Sequence, residues 1–249
     1  MWTEDLTFTG GGGASLAATL YHPDSAVLGS VLMAHCFTCS QELHTTTRLA
    51  RALSRGGYLV MTFDFTGLGR SRGDFARTSV TTNVADLTRA SVALIERDQG
   101  PCILIGHSLG GAAALLAARR IHRLKAVVTI GTPASLNHIR SLIETGLPPD
   151  DESGDRLVSV GGRRFRIGSG FLADLEEHDP SVAAAELDIP LLVVAAGSDG
   201  VVPQTDSEAL AATGGADFAV IEGADHLFSD RDHSAELALV VLDWLGSRV

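Results

Sequence analysis

The chain has 249 residues, 45% of them hydrophobic and 20% charged, with 30 acidic against 19 basic residues and a formal net charge of −11. That apolar content excludes disorder as the main state, and the length admits one large domain or two small ones. So negative a surface repels phosphate backbones, and Arg163-Arg164-Phe165-Arg166 is too short a basic stripe to offset it, which argues against nucleic-acid binding.

The N-terminus, MWTEDLTFTG, carries acids where a signal peptide needs a basic patch and an apolar stretch. Residues 2–9 and 14–21 predict two strands, with Gly10 to Gly13 as their flexible connection. Apolar runs of strand length follow at 29–34, 58–64, 102–106, 125–130, 190–196 and 217–221. Runs that are apolar throughout imply a sheet covered on both faces, as parallel sheets are. Helical patterns lie between them at about 43–55, 80–98, 108–121, 204–213 and 232–247. The alternation predicts an α/β fold with a mostly parallel, doubly wound sheet led by an antiparallel hairpin. Residues 135–180 break the rhythm with a helix at 136–145, a Pro-Pro-Asp-Asp-Glu loop, a Gly-Gly hairpin in VSVGGRRFRI and a short helix near 170–177. Too small to hold a core alone, this stretch predicts a cap-like insertion within a single domain spanning 1–249. No run approaches the roughly 18 consecutive apolar residues that span a bilayer, so no membrane partner is expected.

The strongest chemical signal is Gly106-His107-Ser108-Leu109-Gly110-Gly111, which follows the apolar strand CILI and opens the Ala-rich helix GAAALLAARR. That is the setting of a G-x-S-x-G nucleophile elbow, with Ser108 as nucleophile and Gly106, His107 and Gly110 shaping the turn. A serine there is held in a strained backbone conformation with its hydroxyl lifted off the sheet, and the helix N-terminus adds positive potential. A hydroxyl near neutral pH needs a base, itself oriented by an acid. Asp199 follows the strand PLLVVAAG and His226 follows the strand DFAVIEG, so both leave the sheet at the carboxyl-end edge where open α/β sheets place ligands. They are the predicted acid and base. Asp225 reads as loop chemistry, Asp230, Asp232 and His233 as the start of the last helix, and His107 as a packed histidine pointing away from the nucleophile.

The remaining loop, Ala34-His35-Cys36-Phe37-Thr38-Cys39-Ser40, resembles the HGFTGS string common in the α/β-hydrolase superfamily, with Cys36 and Cys39 in place of its glycines. The resemblance runs through Asp64-Phe65-Thr66-Gly67-Leu68-Gly69-Arg70-Ser71, the elbow, and the acid and histidine strands. It implies that the backbone N–H groups of Phe37 and Leu109 form an oxyanion hole. AHCFTCS, FDFTGLGRSRGDF and IGHSLGGAAALLAA also look like the hydrolase half of bacterial proteins that fuse an α/β-hydrolase to an OsmC-like domain, which implies association with such a domain.

Cys36 and Cys39 carry rival readings. With His35 and His44 they spell H-C-x-x-C-x4-H, a zinc-like spacing, and C-x-x-C alone suggests redox chemistry. The preferred account is that each cysteine is a small stand-in for glycine. Together with Cys102 they make an odd count in a chain that needs no staples, which points to a reducing, cytoplasmic location. The one lysine, Lys125, sits in a run that reads as the start of a buried strand and is the sole Schiff-base candidate; no dinucleotide fingerprint or P-loop lysine is present, so neither cofactor nor metal is expected. The pattern predicts a serine esterase acting on small or medium carboxylic esters through an acyl-enzyme. Thioesterase or amidase action, a non-catalytic ligand-binding module, and a redox accessory using Cys36 and Cys39 are the alternatives. Substrate-binding residues are not legible.

Overall fold

A computed structural model describes residues 1–97, 103–147 and 154–248. In chain order the elements are β1 (Trp2–Thr9), β2 (Ser15–His22), β3 (Gly29–Ala34), α1 (His44–Arg55), β4 (Tyr58–Phe63), α2 (Val80–Ile95), β5 (Ile103–His107), α3 (Leu109–Ala118) and β6 (Ala126–Ile130). There follow α4 (Asn137–Glu144), β7 (Arg156–Val160), β8 (Arg163–Ile167), α5 (Gly170–Glu176), α6 (Pro180–Ala185), β9 (Leu191–Ala196), α7 (Gln204–Gly214), β10 (Asp217–Ile221) and α8 (Arg231–Arg248).

One eight-stranded sheet has the order β1-β2-β4-β3-β5-β6-β9-β10. β1, β2 and β4 pair antiparallel, and every pairing from β4 to β10 is parallel. This is the α/β-hydrolase fold expected from the sequence. The strand residues explain the layering. Alternate side chains point to opposite faces, so Leu32, Leu104, Val127 and Val193 join α2 and α3 in one core, while Val31, Ile105, Val128 and Val194 join α1 and α8 in the other. β1 is an edge strand, and its side chains alternate between exposed and half-buried.

The stretch after β6 leaves the main sheet, and β7 and β8 form a separate antiparallel hairpin. Its turn is Gly161-Gly162, both at positive φ, which a two-residue hairpin loop requires. Phe165 meets Phe75, on a 3-10 turn at Phe75–Arg77, with ring centroids 5.7 Å apart. The sequence reading missed α6. Asp179 accepts from the N–H groups of Ser181 and Val182 and Pro180 occupies the first turn, a cap-and-proline start that was there to be read. The predicted helix 108–121 begins instead at Leu109, because Ser108 itself is not helical, and 80–98 ends as a helix at Ile95. The Pro-Pro-Asp-Asp-Glu loop and Cys102 lie outside the described residues.

Two fully buried carboxylates stitch loops to this frame. Asp86 on α2 accepts from Gly11 N, Thr66 N and Thr66 Oγ1, joining the glycine turn to the segment after β4. Asp64, just past β4, accepts from Gln41 N at 2.7 Å, Gln41 Nε2 at 3.0 Å and Arg70 N at 2.9 Å. Asp64→Ala strands those donors, each worth roughly 1–3 kcal/mol when buried and unpaired, so a stability loss of about 3 kcal/mol or more is expected. Urea unfolding checks it, and a loss under about 1 kcal/mol would refute the assigned role.

Candidate active site

Ser108 sits between β5 and α3 with φ 54° and ψ −123°. A non-glycine residue in the positive-φ region is strained, and here the packing explains why it persists. A Cβ at Gly106 would lie 2.4 Å from Gly110 O, one at Gly110 would lie 2.3 Å from His35 O, and one at Gly111 would lie 1.9 Å from Thr132 Oγ1. The three glycines therefore let β5, α3, the His35 loop and the loop after β6 close on the serine. Ser108 is only 3% exposed.

Asp199 leaves the carboxyl end of β9. Its Oδ1 accepts from Val201 N and Val202 N, both at 2.8 Å, and its Oδ2 lies 2.7 Å from His226 Nδ1. Burial alone would raise the Asp199 pKa, but the His226 contact and the two backbone donors outweigh it and hold the carboxyl below its ordinary value. An imidazole that gives its Nδ1 proton to this carboxylate keeps a lone pair on Nε2. Ser108 N donates to Ile130 O at 2.8 Å, and a Cβ on the next residue, Gly131, would stand 3.4 Å from His226 Nδ1 and 3.5 Å from Asp199 Oδ2. The end of β6 thus lies between the serine and the His226–Asp199 pair. Among the described residues no hydrogen bond joins Ser108 Oγ to the imidazole, whose Nδ1 faces Asp199.

The loop from His35 to Cys39 passes over the N-terminus of α3. His35 Nδ1 donates to Cys36 O at 2.8 Å, which leaves Nε2 to accept from Phe65 N at 3.2 Å; the ring is the neutral Nδ1–H tautomer, and burial lowers its pKa. Thr38 takes φ 60°, and Cys39 N donates to Cys36 O. Neither the Phe37 nor the Leu109 N–H engages a protein acceptor among the described residues. One expectation is corrected. Cys36 and Cys39 are not independent stand-ins for glycine but a disulfide, with Cα atoms 5.3 Å apart. The zinc reading falls with it, since the disulfide and the His35 hydrogen bonds take three of the four ligands it needs. Lys125 is exposed and precedes β6, at the sheet edge away from Ser108.

Residues 31–238 match the Alpha/beta hydrolase family. An esterase domain from Rhodothermus marinus is 37% identical, with 98% of each chain covered and a TM-score of 0.81. The chain belongs to the alpha/beta hydrolase family. Two more distant structures share its fold. Est1E from Butyrivibrio proteoclasticus, solved with ferulic acid, has a TM-score of 0.84 at 20% identity, covering 98% of this chain and 99% of that one. The esterase Pf2001 from Pyrococcus furiosus has 0.76 at 17% identity, covering 99% and 93%. No curated protein matches the sequence.

In this hydrolase the histidine beside Ser108 has a task that the sequence did not reveal. His107 is buried, its ring lies 5.1 Å from that of His226, and its Nε2–H donates to the carbonyl of His226 at 2.8 Å. Burial and the neighbouring His226 push its pKa down to about 3, so it stays neutral. The ring anchors the backbone of the candidate base. A second missed residue is His138 on α4, which lies within the electrostatic reach of His226 and Asp199 and has both ring nitrogens buried without a hydrogen bond of normal geometry. Asp225 and Asp230 bind the N–H groups of Ser229 and of Asp232 and His233, the loop and helix-start roles predicted.

The depressed His107 pKa has a consequence for acid stability. Below pH 6.5 the unfolded chain takes up a proton that the folded chain refuses down to about pH 3, so stability falls as the pH drops through that window. His35 acts with the same sign. His107→Gln, which keeps a donor for the His226 carbonyl, is expected to flatten the decline in urea midpoint between pH 7 and pH 5. An unchanged slope would show that His107 is not held neutral.

Proposed function

We propose that the protein is a serine esterase that cleaves small or medium carboxylic esters. The observation that carries the reading is the buried Asp199 carboxylate bound to His226 Nδ1 beside the strained Ser108 elbow. Ser108 Oγ attacks the ester carbonyl as His226 Nε2 takes its proton, and Asp199 holds the ring and stabilises the imidazolium. The oxyanion accepts from Phe37 N–H and Leu109 N–H, the latter at the positive end of α3. His226 then protonates the departing alcohol, and by the same route activates water to release the acid. The Rhodothermus marinus neighbour, described as an esterase domain, supports the ester preference. No helix among the described residues is long and apolar enough to cross a membrane. A cytoplasmic location and association with an OsmC-like domain rest on the sequence alone.

Hydrolysis of p-nitrophenyl esters from acetate to palmitate tests the reading, alongside labelling by a fluorophosphonate. The expected result is a rate that peaks at a short or medium acyl chain and a single adduct on Ser108. A folded sample that neither turns over nor labels would favour a ligand-binding module.

A further inference from the structure

The Cys36–Cys39 disulfide takes no part in the mechanism above, yet it encloses one of the two proposed oxyanion donors. Phe37 and Thr38 are the only residues between the bonded cysteines. The ring so closed is small, and a short loop constrains the unfolded chain far less than a long one, so stapling the fold is a poor account of it. Its position is more telling. The carbonyls of Ala34 and His35 lie against Gly110 at the start of α3, so the loop that begins at Cys36 is registered on the serine's own helix. Cys36 O takes hydrogen bonds from both His35 Nδ1 and Cys39 N, and Thr38 is held at φ 60°, which β-branched residues rarely adopt. The ring of Phe37 packs on Phe75 and on Phe171 of α5, each with centroids 5.8 Å away, so the loop also touches the inserted stretch.

The two sulfurs differ in access. Cys36 is buried at 4% exposure, whereas Cys39 is partly exposed, so an incoming thiolate meets Cys39 first.

We infer that this disulfide is a thiol–disulfide exchange site for a small dithiol or a dithiol protein, and that its opening disorders the Phe37 donor and slows turnover. The exchange balances in two displacements. One thiolate of the dithiol attacks Cys39 Sγ, the S–S bond breaks, and Cys36 leaves as a thiolate that takes a proton. The second thiolate of the dithiol attacks its own sulfur in the mixed disulfide and expels Cys39, which is protonated in turn. The dithiol gives up two electrons and two protons and departs as a disulfide. With the covalent tie gone, the Cys39–Cys36 and Thr38–Phe37 hydrogen bonds are left to close the turn, and Thr38 can leave its left-handed conformation. The effect on turnover rests on the proposed esterase reading; the exchange does not.

Intact, folded protein is treated with dithiothreitol, alkylated with iodoacetamide and weighed. Two added carbamidomethyl groups are expected, at Cys36 and Cys39, with neither site modified in untreated protein. In a second, unalkylated portion, desalted after reduction, kcat for p-nitrophenyl butyrate is expected to be roughly tenfold lower than in the oxidised form, less than the loss of a whole oxyanion donor, and to return on oxidation with glutathione disulfide. A Cys36→Ser, Cys39→Ser double variant is expected to turn over like the reduced protein and to ignore the dithiol. Should that variant not fold, Cys102→Ser must still show both the adducts and the rate change. A native disulfide that resists dithiol concentrations sufficient for the denatured chain overturns the inference, as does equal kcat in the two forms. If neither form hydrolyses any ester, the esterase reading fails while the adducts still decide the exchange.

Discussion

Replacing Ser108 with alanine is expected to lower kcat for ester hydrolysis by about a million-fold while leaving the fold intact. In the proposed mechanism the Ser108 hydroxyl forms the acyl-enzyme, and what would remain without it is the slow background that an oxyanion hole and a binding pocket provide. The alanine keeps a Cβ, so it inherits the serine's φ of 54° and should unfold at nearly the same urea concentration. Ser108→Gly separates the two properties. It loses the nucleophile equally, but glycine adopts positive φ freely, so this variant is expected to be more stable than the parent by about 1 kcal/mol. Paired kinetics and unfolding curves provide the check. Residual kcat above about 1% in Ser108→Ala would remove the serine from the mechanism.

Asp199→Asn is expected to lower kcat by about 10⁴-fold. The asparagine occupies the same volume but can turn an amide N–H toward His226 Nδ1, which moves the ring proton to Nε2 and takes away the lone pair that receives the serine's proton in the proposed mechanism. The same change has a signature in acid. Because the folded pKa of Asp199 lies below its ordinary 3.8, the carboxylate's contribution to stability is present above that pH and is lost as the pH falls through the folded value. Parent and Asp199→Asn unfolding midpoints should therefore differ at pH 6 and converge in strong acid. A variant with parental kcat would mean that the pair, although 2.7 Å apart, does not work as acid and base.

The mostly parallel sheet with its antiparallel lead, and the positions of Ser108, Asp199 and His226 after successive apolar runs, were legible because both depend on local patterns. Each candidate follows an apolar run directly, and such a run buried on both faces has few alternatives to a parallel strand. The roles that escaped depend on partners distant in sequence. Nothing near His107 indicates that its ring bonds a carbonyl 119 residues later, and nothing near Asp64 or Asp86 marks either as a buried acceptor rather than a surface acid. The disulfide was misread for the opposite reason. Its partners are close in sequence, but the odd count and the size of the chain favoured free thiols, and only the turn at Thr38 brings the sulfurs together. The apolar run 217–221 was grouped with strands covered on both faces, whereas Phe218 of β10 is exposed.

The segment that carries His226 is secured from two sides, by the ring of His107 and by the hydroxyl of Thr45 at the start of α1, which donates to the carbonyls of Leu227 and Phe228. The Thr45 contacts join residues more than 180 positions apart. Loops of that length close late, since their entropy must be met before the contact rewards it. Refolding chains should then regain secondary structure before the His226 segment is fixed on α1, and turnover by the proposed mechanism should return last.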